Sequence, residues 1–187
     1  TDTVQVGKKI LQGKQTQKVL AFYKPVGVTC TERDPHAEKK IMDMIRYPER
    51  LTYAGRLDKD SEGLILLTND GDLINAMMRG ANRHEKEYIV KTDREITPDF
   101  LEKMAKGIYL KDLDITTREC EIEQIGKFTF RIVLTQGVNR QIRRMCEACG
   151  YRVKALKRIR IMNILLGDLK PGKWREVTGE ELEQLQR

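Results

Sequence analysis

The 187-residue sequence contains no apolar run that approaches the length of a membrane-spanning helix. Its start lacks the charged segment, apolar core and small-residue site of a signal peptide. Neither a phosphate-binding P-loop nor a dinucleotide fingerprint occurs, which argues against nucleotide-driven or hydride-transfer chemistry. Internal repeats and low-complexity tracts are also missing. There are four cysteines, and Cys146-x-x-Cys149 is the single close pair. Cys30 and Cys120 stand alone, so no second pair completes a cysteine-rich zinc site. Cys146 and Cys149 share a helical face with Ile142 and Met145. Buried, reduced thiols are therefore expected, which suits a reducing cytoplasm. His84 has no recognisable triad or metal partner and reads as structural or solvent-exposed. No metal and no cofactor are expected.

What is present is charge on a globular background. Hydrophobic residues make up 40% and charged residues 34%, with a formal net charge of +7. That balance fits a soluble domain with a polyanionic partner, without separating RNA from DNA or from an anionic membrane surface. The length fits one large domain or two intimately packed subdomains. Residues 1–18 are polar with little periodicity and read as a linker or remnant. The ordered domain is expected over 19–187.

Strand and helix signals interleave irregularly, which predicts an α+β fold with a mixed, mainly antiparallel sheet flanked by helices. A short strand is expected at Val19–Tyr23, stopped by Lys24-Pro25 and Gly27. Asn69-Asp70-Gly71-Asp72 offers turn and cap chemistry for a helix through Met78. Tyr88–Val90 lies in an expected strand. Thr97-Pro98 opens a helix that Gly107 closes. Phe128, Phe130, Ile132 and Leu134 alternate with Thr129, Arg131 and Thr135, with Val133 breaking the pattern, as in a half-buried strand. Asn139 and Gly150 bracket a helix with Arg140, Arg143 and Arg144 on one face and Ile142, Met145, Cys146 and Cys149 on the other. Thr178-x-x-Glu181 reads as a capping box for a terminal helix. In Val153–Ile161, strand parity puts Leu156 on a basic face with Lys154, Arg158 and Arg160.

The most informative segment is Gly55-Arg56-Leu57-Asp58-Lys59-Asp60-Ser61-Glu62-Gly63 followed by Leu64-Ile65-Leu66-Leu67-Thr68. A charged loop bracketed by glycines enters a buried-strand pattern, which can hold a carboxylate at the mouth of a sheet. Asp58, Asp60, Glu62 and Gly63 also occupy the first, third, fifth and sixth positions of a calcium loop. The twelfth position, which needs a bidentate glutamate, is Asn69, and the run after Gly63 is apolar. A glycoside hydrolase using Asp58 with Asp60 is a further reading. Carboxylates two apart on one loop need not oppose each other across a sugar.

GRLDKDSEGLILLT strongly resembles the active-site motif of RNA pseudouridine synthases of the family that modifies bacterial ribosomal RNA. Asn139–Met145 resembles the family's GxNRQIRRM motif, Lys86-x-Tyr88 its Lys-x-Tyr motif, and Phe22–Val28 its N-terminal motif. These matches follow family order from about Phe22 to Trp174. The variant Arg79–Tyr88 looks most like the RluF branch, which acts on large-subunit ribosomal RNA. The resemblance implies a pseudouridine synthase fold with a central RNA-binding cleft. It implies that Asp58 is the catalytic carboxylate, that Arg143 pairs with it and that Tyr88 stacks on the target base. Leu156 becomes an active-site leucine, Arg140 and Arg144 serve phosphates, and Arg56 and Lys86 complete the substrate contacts. Lys24-Pro25-x-Gly27 supports the catalytic loop as a rigid turn. The implied enzyme converts a specific uridine of ribosomal RNA, in the large subunit, to pseudouridine as a monomer. A synthase acting on transfer RNA and a non-catalytic RNA-binding or ribosome-assembly module are the alternatives. Such enzymes commonly carry an N-terminal S4 domain, of which residues 1–18 could hold only the end. The chemical route taken by Asp58 stays open.

Overall fold

The computed structural model describes residues 16–30, 41–79 and 83–186. In chain order the elements are β1 (Val19–Lys24), α1 (Ile41–Met44), β2 (Thr52–Tyr53), β3 (Glu62–Thr68), α2 (Gly71–Met78), β4 (Lys86–Thr92) and α3 (Pro98–Lys106). They continue with β5 (Tyr109–Leu110), β6 (Ile115–Thr116), β7 (Glu121–Gly126), β8 (Thr129–Leu134), α4 (Gln141–Ala148), β9 (Val153–Ile161), β10 (Ile164–Leu165), β11 (Trp174–Glu176) and α5 (Gly179–Leu185). Nine strands form one continuous sheet in the order β11-β1-β3-β9-β4-β8-β7, with β10 against β9 and β2 against β3. Strands β5 and β6 make a separate ribbon. The sheet pairings are antiparallel except β3 with β9, where Glu62 lies beside Lys157 and Gly63 beside Arg158. This is the expected α+β arrangement.

Burial explains the two kinds of strand pattern. Strands β1 and β3 are covered on both faces. Ala21, Leu64 and Leu66 pack with Leu73, Met77 and Leu185 from α2 and α5. Leu20, Phe22, Ile65 and Leu67 pack on the other side with Val28, Cys30, Ile41 and Leu51. Their sequences therefore read as unbroken apolar runs. Strand β8 is covered on one face only, where Phe130 and Ile132 meet Phe100, Met104, Ile142 and Met145 of α3 and α4. On its open face Arg131 pairs with Glu87 (3.2 Å), which also accepts from Arg160 Nε (2.8 Å). Alternation follows from that one-sided cover.

Two helix starts behave as expected. Asp70 accepts from the backbone N–H of Asp72 and Leu73, and Thr97 accepts from Phe100. Two others do not. Thr178 precedes α5 without a side-chain cap, because Glu181 is drawn to Arg175, which donates to both its carboxylate oxygens at 2.7 and 2.9 Å. Asn139 does not cap α4. Arg140 takes that position in the left-handed region (φ 50°), and Asn139 accepts from Arg144 through its carbonyl (2.8 Å) and its side chain (3.0 Å). Phe128 falls outside β8, in the β7–β8 turn, and is exposed.

Simple parity also fails in β9. Its register against β4 shifts between Val153 and Ala155 and again between Arg158 and Arg160. Leu156 and Arg158 turn inward and are buried, Lys154 is exposed, and Ile161 on the opposite parity is fully buried. An irregularity that adds one residue reverses which face the following side chains occupy. Of the expected 1–18 linker, residues 1–15 lie outside the described residues. Lys18 is tied to the β3 end through its N–H to Asn69 Oδ1 (2.8 Å).

Candidate active site

The Asp58 loop runs from Arg56 to the start of β3 and is held from every side by backbone contacts. Gly27 N–H donates to Lys59 O (2.7 Å). The ammonium of Lys24, at the end of β1, is buried and donates to Pro25 O and Val28 O (2.7 Å each) and to Lys59 O (3.3 Å). Cys30 Sγ donates to Leu57 O (3.2 Å). Arg158 Nε donates to Leu64 O (2.8 Å) and Nη1 to Arg56 O (3.3 Å), gripping both ends of the loop from β9. From α4, Arg143 Nη2 donates to Asp60 O and Ser61 Oγ, both at 3.1 Å. A loop so constrained presents its carboxylates with little freedom left to lose on binding.

Glycine is required where this loop enters the sheet. Gly63 has φ +116°, and a Cβ there would lie 2.2 Å from Arg158 O and 2.7 Å from Arg158 N. The missing side chain is what lets β3 lie parallel and close to β9.

Asp58 is open to solvent, with its side chain 39% exposed, and its Oδ2 lies 3.4 Å from Arg140 Nη1. Arg140 is also bidentate to Asp60, at 3.1 and 2.8 Å. The Arg140 hydrogen bonds hold the Asp60 carboxyl below the usual carboxylate range. One guanidinium thus gathers both carboxylates to the same side, so they do not face each other across a sugar as a glycosidase pair does. The calcium reading fails as well, because residues 62–68 form a strand instead of continuing an oxygen-rich loop.

Below the loop opens a cavity of about 770 Å³, lined among others by Asp58, Tyr88, Arg140, Arg143 and Leu156. Tyr88 is half-buried on β4, and Leu156 lies in the adjacent strand β9. The cavity therefore combines a solvent-accessible carboxylate, an aromatic face, an apolar floor and several cations. Its size is within the range of small-ligand sites.

The family model for RNA pseudouridylate synthase matches residues 18–148. The chain belongs to the RNA pseudouridylate synthase family. It is 44% identical over 183 residues to the dual-specificity RNA pseudouridine synthase RluF of Escherichia coli (strain K12), covering 97% of this chain and 62% of that protein. It is 34% identical over 177 residues to ribosomal large subunit pseudouridine synthase B of Vibrio cholerae, covering 90% of this chain and 54% of the relative. The chain thus spans less than two thirds of the length of either relative. A crystal structure of a pseudouridylate synthase superposes with a TM-score of 0.86 at 29% identity, over 94% of this chain and 76% of the other.

Within this pseudouridylate synthase fold, Asp58, Tyr88, Arg143, Leu156, Arg56, Lys86 and Arg140 all line one cavity. Arg144 does not line it. It turns back to Asn139 and lies 3.9 Å from Asp112. The anticipated Arg143–Asp58 pair is replaced by Arg140–Asp58, with Arg143 on the Asp60 carbonyl and the Ser61 hydroxyl and 3.6 Å from Asp60 Oδ1. The reason is position on the helix. Arg140 sits just before α4, nearest the loop mouth, whereas Arg143 lies one turn further in. Leu156 is buried at the cavity floor and does not stand on an exposed basic face.

Cys30, Ser61 and the inward-turned Arg158 were not anticipated as groups that position the loop, and Lys24 was expected only as part of the supporting turn. Lys24 carried a signal, a lysine inside an apolar strand immediately before proline. Burial pushes its ammonium down to about 8, while Cys30, Asp60 and Asp58 nearby oppose the shift. Cys146 is buried against the sheet, and burial pushes its thiol up to about 12, away from metal-binding or nucleophilic thiolate chemistry. His84 Nε2 donates to Ala76 O of α2 (3.2 Å), and His84 also lines the cavity.

Proposed function

We propose that this chain isomerises a uridine of ribosomal RNA, in the large subunit, to pseudouridine. The observation that carries the reading is the convergence of Asp58, Tyr88 and Leu156 on one cavity in a chain of this family. The reaction breaks the N1–C1′ bond, turns the uracil and rejoins it through C5. Asp58 is the essential carboxylate, Tyr88 stacks on the base, and Leu156 packs beneath it. A base stacked on an aromatic ring gains about 1–3 kcal/mol, which helps hold a nucleotide outside its helix. Arg143 positions the Asp58 loop through its backbone. Arg56, Lys86 and Arg140 contact the substrate from the cavity wall, and Arg144 contacts phosphate outside it. The net charge of +7 is compatible with RNA, as with any polyanionic partner.

The large-subunit target is supported by the name of the Vibrio cholerae relative, and the dual specificity in RluF's name supports a second RNA substrate, for which transfer RNA is the alternative. In this reading residues 19–187 form the catalytic domain, as two packed subdomains on one sheet, and act in the cytoplasm as a monomer. Among the described residues no helix is long and apolar enough to cross a membrane.

The test is release of tritium from uracil-5-tritiated ribosomal RNA. The wild-type protein should release tritium and form pseudouridine. Asp58→Asn should keep RNA binding and fold but release none, because asparagine replaces neither a carboxylate nucleophile nor a base. An RNA-binding module without activity would bind and release nothing in either form. Free uracil as the product would mean hydrolysis instead of isomerisation.

A further inference from the structure

Lys86 opens β4 two residues before Tyr88, so both side chains project from the same face of that strand. Both line the cavity that contains Asp58 and Leu156. The buried cations around Lys86 hold the loop, although Arg143 Nε and Arg158 Nη2 are left without a partner. Arg158 donates to Leu64 O and Arg56 O, Arg143 to Asp60 O and Ser61 Oγ, and Lys24 to three carbonyl oxygens. Lys86 has no hydrogen-bond or ion-pair partner among the described residues. An ammonium on a half-buried side chain that lines the cavity without an acceptor adds little to the fold. Burial, with Arg158 adding like charge, pushes it down to about 8, so it is still a cation at neutral pH. An unpaired charge of this kind in a cleft points to an anion supplied by the ligand.

We propose that Lys86 is a catalytic residue that donates to a uracil oxygen and stabilises the ring as an anion while its glycosidic bond is broken. This rests on the Asp58 cavity being the isomerisation site. The N1–C1′ bond breaks with its electron pair passing to the uracil, where the charge spreads over N1, O2 and O4. Electron-poor C1′ is relieved by the Asp58 carboxylate or by transient loss of the 2′ proton. After the ring turns, C5 bonds to C1′ as the Asp58–C1′ ester bond breaks and frees the carboxylate, or as the lost 2′ proton returns; the C5 proton then leaves and N1 takes one up. Atoms and electrons balance without an oxidant, and the anion exists only between cleavage and rejoining. A donor aimed at transient charge accelerates the step without tightening ground-state binding. A phosphate contact would instead belong at the exposed rim, where Arg56 and Lys59 lie.

The titratable and charged groups that line the cavity with Lys86 are His84 and Tyr88 on its own segment, Arg79 after α2, Arg158 from β9, Arg56, Asp58 and Lys59 from the loop, Cys30 behind it, and Arg140 and Arg143 from the α4 side. Lys24, behind the loop, is also pushed to about 8 and could produce a similar alkaline decline. Lys86→Met and Lys86→Arg separate these possibilities in single-turnover assays on the wild-type RNA substrate.

Lys86→Met should lower the saturated rate by about a hundredfold or more. Its RNA dissociation constant should stay within about threefold, and it should melt no lower than wild type, because an unpaired, half-buried charge has been removed. Lys86→Arg should keep a rate above that of Lys86→Met and lose the decline near pH 8, since arginine stays charged. The proposal is overturned if Lys86→Met turns over within about threefold of wild type, or if its defect lies in affinity alone. It is also overturned if Lys86→Arg still declines near pH 8, which assigns that limb to Lys24, or is no faster than Lys86→Met. A wild-type protein that forms no pseudouridine would instead sink the reading of the cavity itself.

Discussion

Gly63→Ala tests the junction on which the site is built. At φ +116° an alanine is strained, and its Cβ would lie 2.2, 2.7 and 3.0 Å from three backbone atoms of Arg158. Backbone atoms cannot rotate away, so β3 and β9 must separate by roughly 1 Å, the shortfall from an ordinary carbon–oxygen contact. The left-handed strain costs about 1–3 kcal/mol, and forcing a methyl group into packed structure costs about 1–3 kcal/mol more. A loss of about 2–6 kcal/mol would be a large part of the roughly 5–15 kcal/mol that holds such a domain together. For a chain of this size that corresponds to a fall in Tm of about 4–24 °C. Separation would also slacken the grip of Arg158 on Arg56 O and Leu64 O, so Asp58 should lose its position. Urea unfolding gives the stability change, and single-turnover kinetics on folded protein at low temperature gives the rate. A variant less than about 1 kcal/mol weaker, with wild-type turnover, would refute the claim that close β3–β9 contact positions the loop.

Tyr88→Phe keeps the aromatic face, so RNA affinity should change by less than about threefold while any step that uses the hydroxyl slows severely. Equal single-turnover rates would leave stacking as the sole role. Arg143→Ala removes the donor to Asp60 O and Ser61 Oγ and should depress the saturated rate more than RNA affinity. Arg144→Ala, outside the cavity, should mainly weaken affinity and flatten its salt dependence, and identical binding-only defects in the two would reject the difference. For pH, burial raises the folded-state Cys146 thiol to about 12. The unfolded thiol titrates near about 8.5, so above that pH the folded chain binds more protons and this contribution to stability is progressively lost. Lys24 and Lys86 act in the opposite sense, so the quantity to measure is the difference between wild type and Cys146→Ala. In reducing buffer, the variant's unfolding free energy should fall by about 2 kcal/mol less between pH 8 and pH 10, and parallel profiles would contradict the assignment.

Much of this protein could be read from the chain alone, because the signals are local. Unbroken apolar runs marked β1 and β3 as strands covered on both faces, and alternation marked the one-sided β8. Asp70 and Thr97 cap helices because a short oxygen-bearing side chain reaches nearby N–H groups whatever the rest of the fold does. The loop motif with Asp58 and the arginine-rich start of α4 identified the family. Competition across the fold decided the rest. Thr178 and Asn139 had suitable cap chemistry, but Glu181 went to Arg175 and Arg144 took Asn139's oxygens. The parity of β9 ignored two register shifts that exist only against β4, which turned Leu156 and Arg158 inward. Sequence spacing placed three arginines on one helix face, yet depth along that helix gives Asp58 to Arg140 and the loop backbone to Arg143. The parallel contact of Gly63 with Arg158 joins residues distant in sequence. Only tertiary packing could bring them together, and so it decided where the Asp58 carboxylate stands.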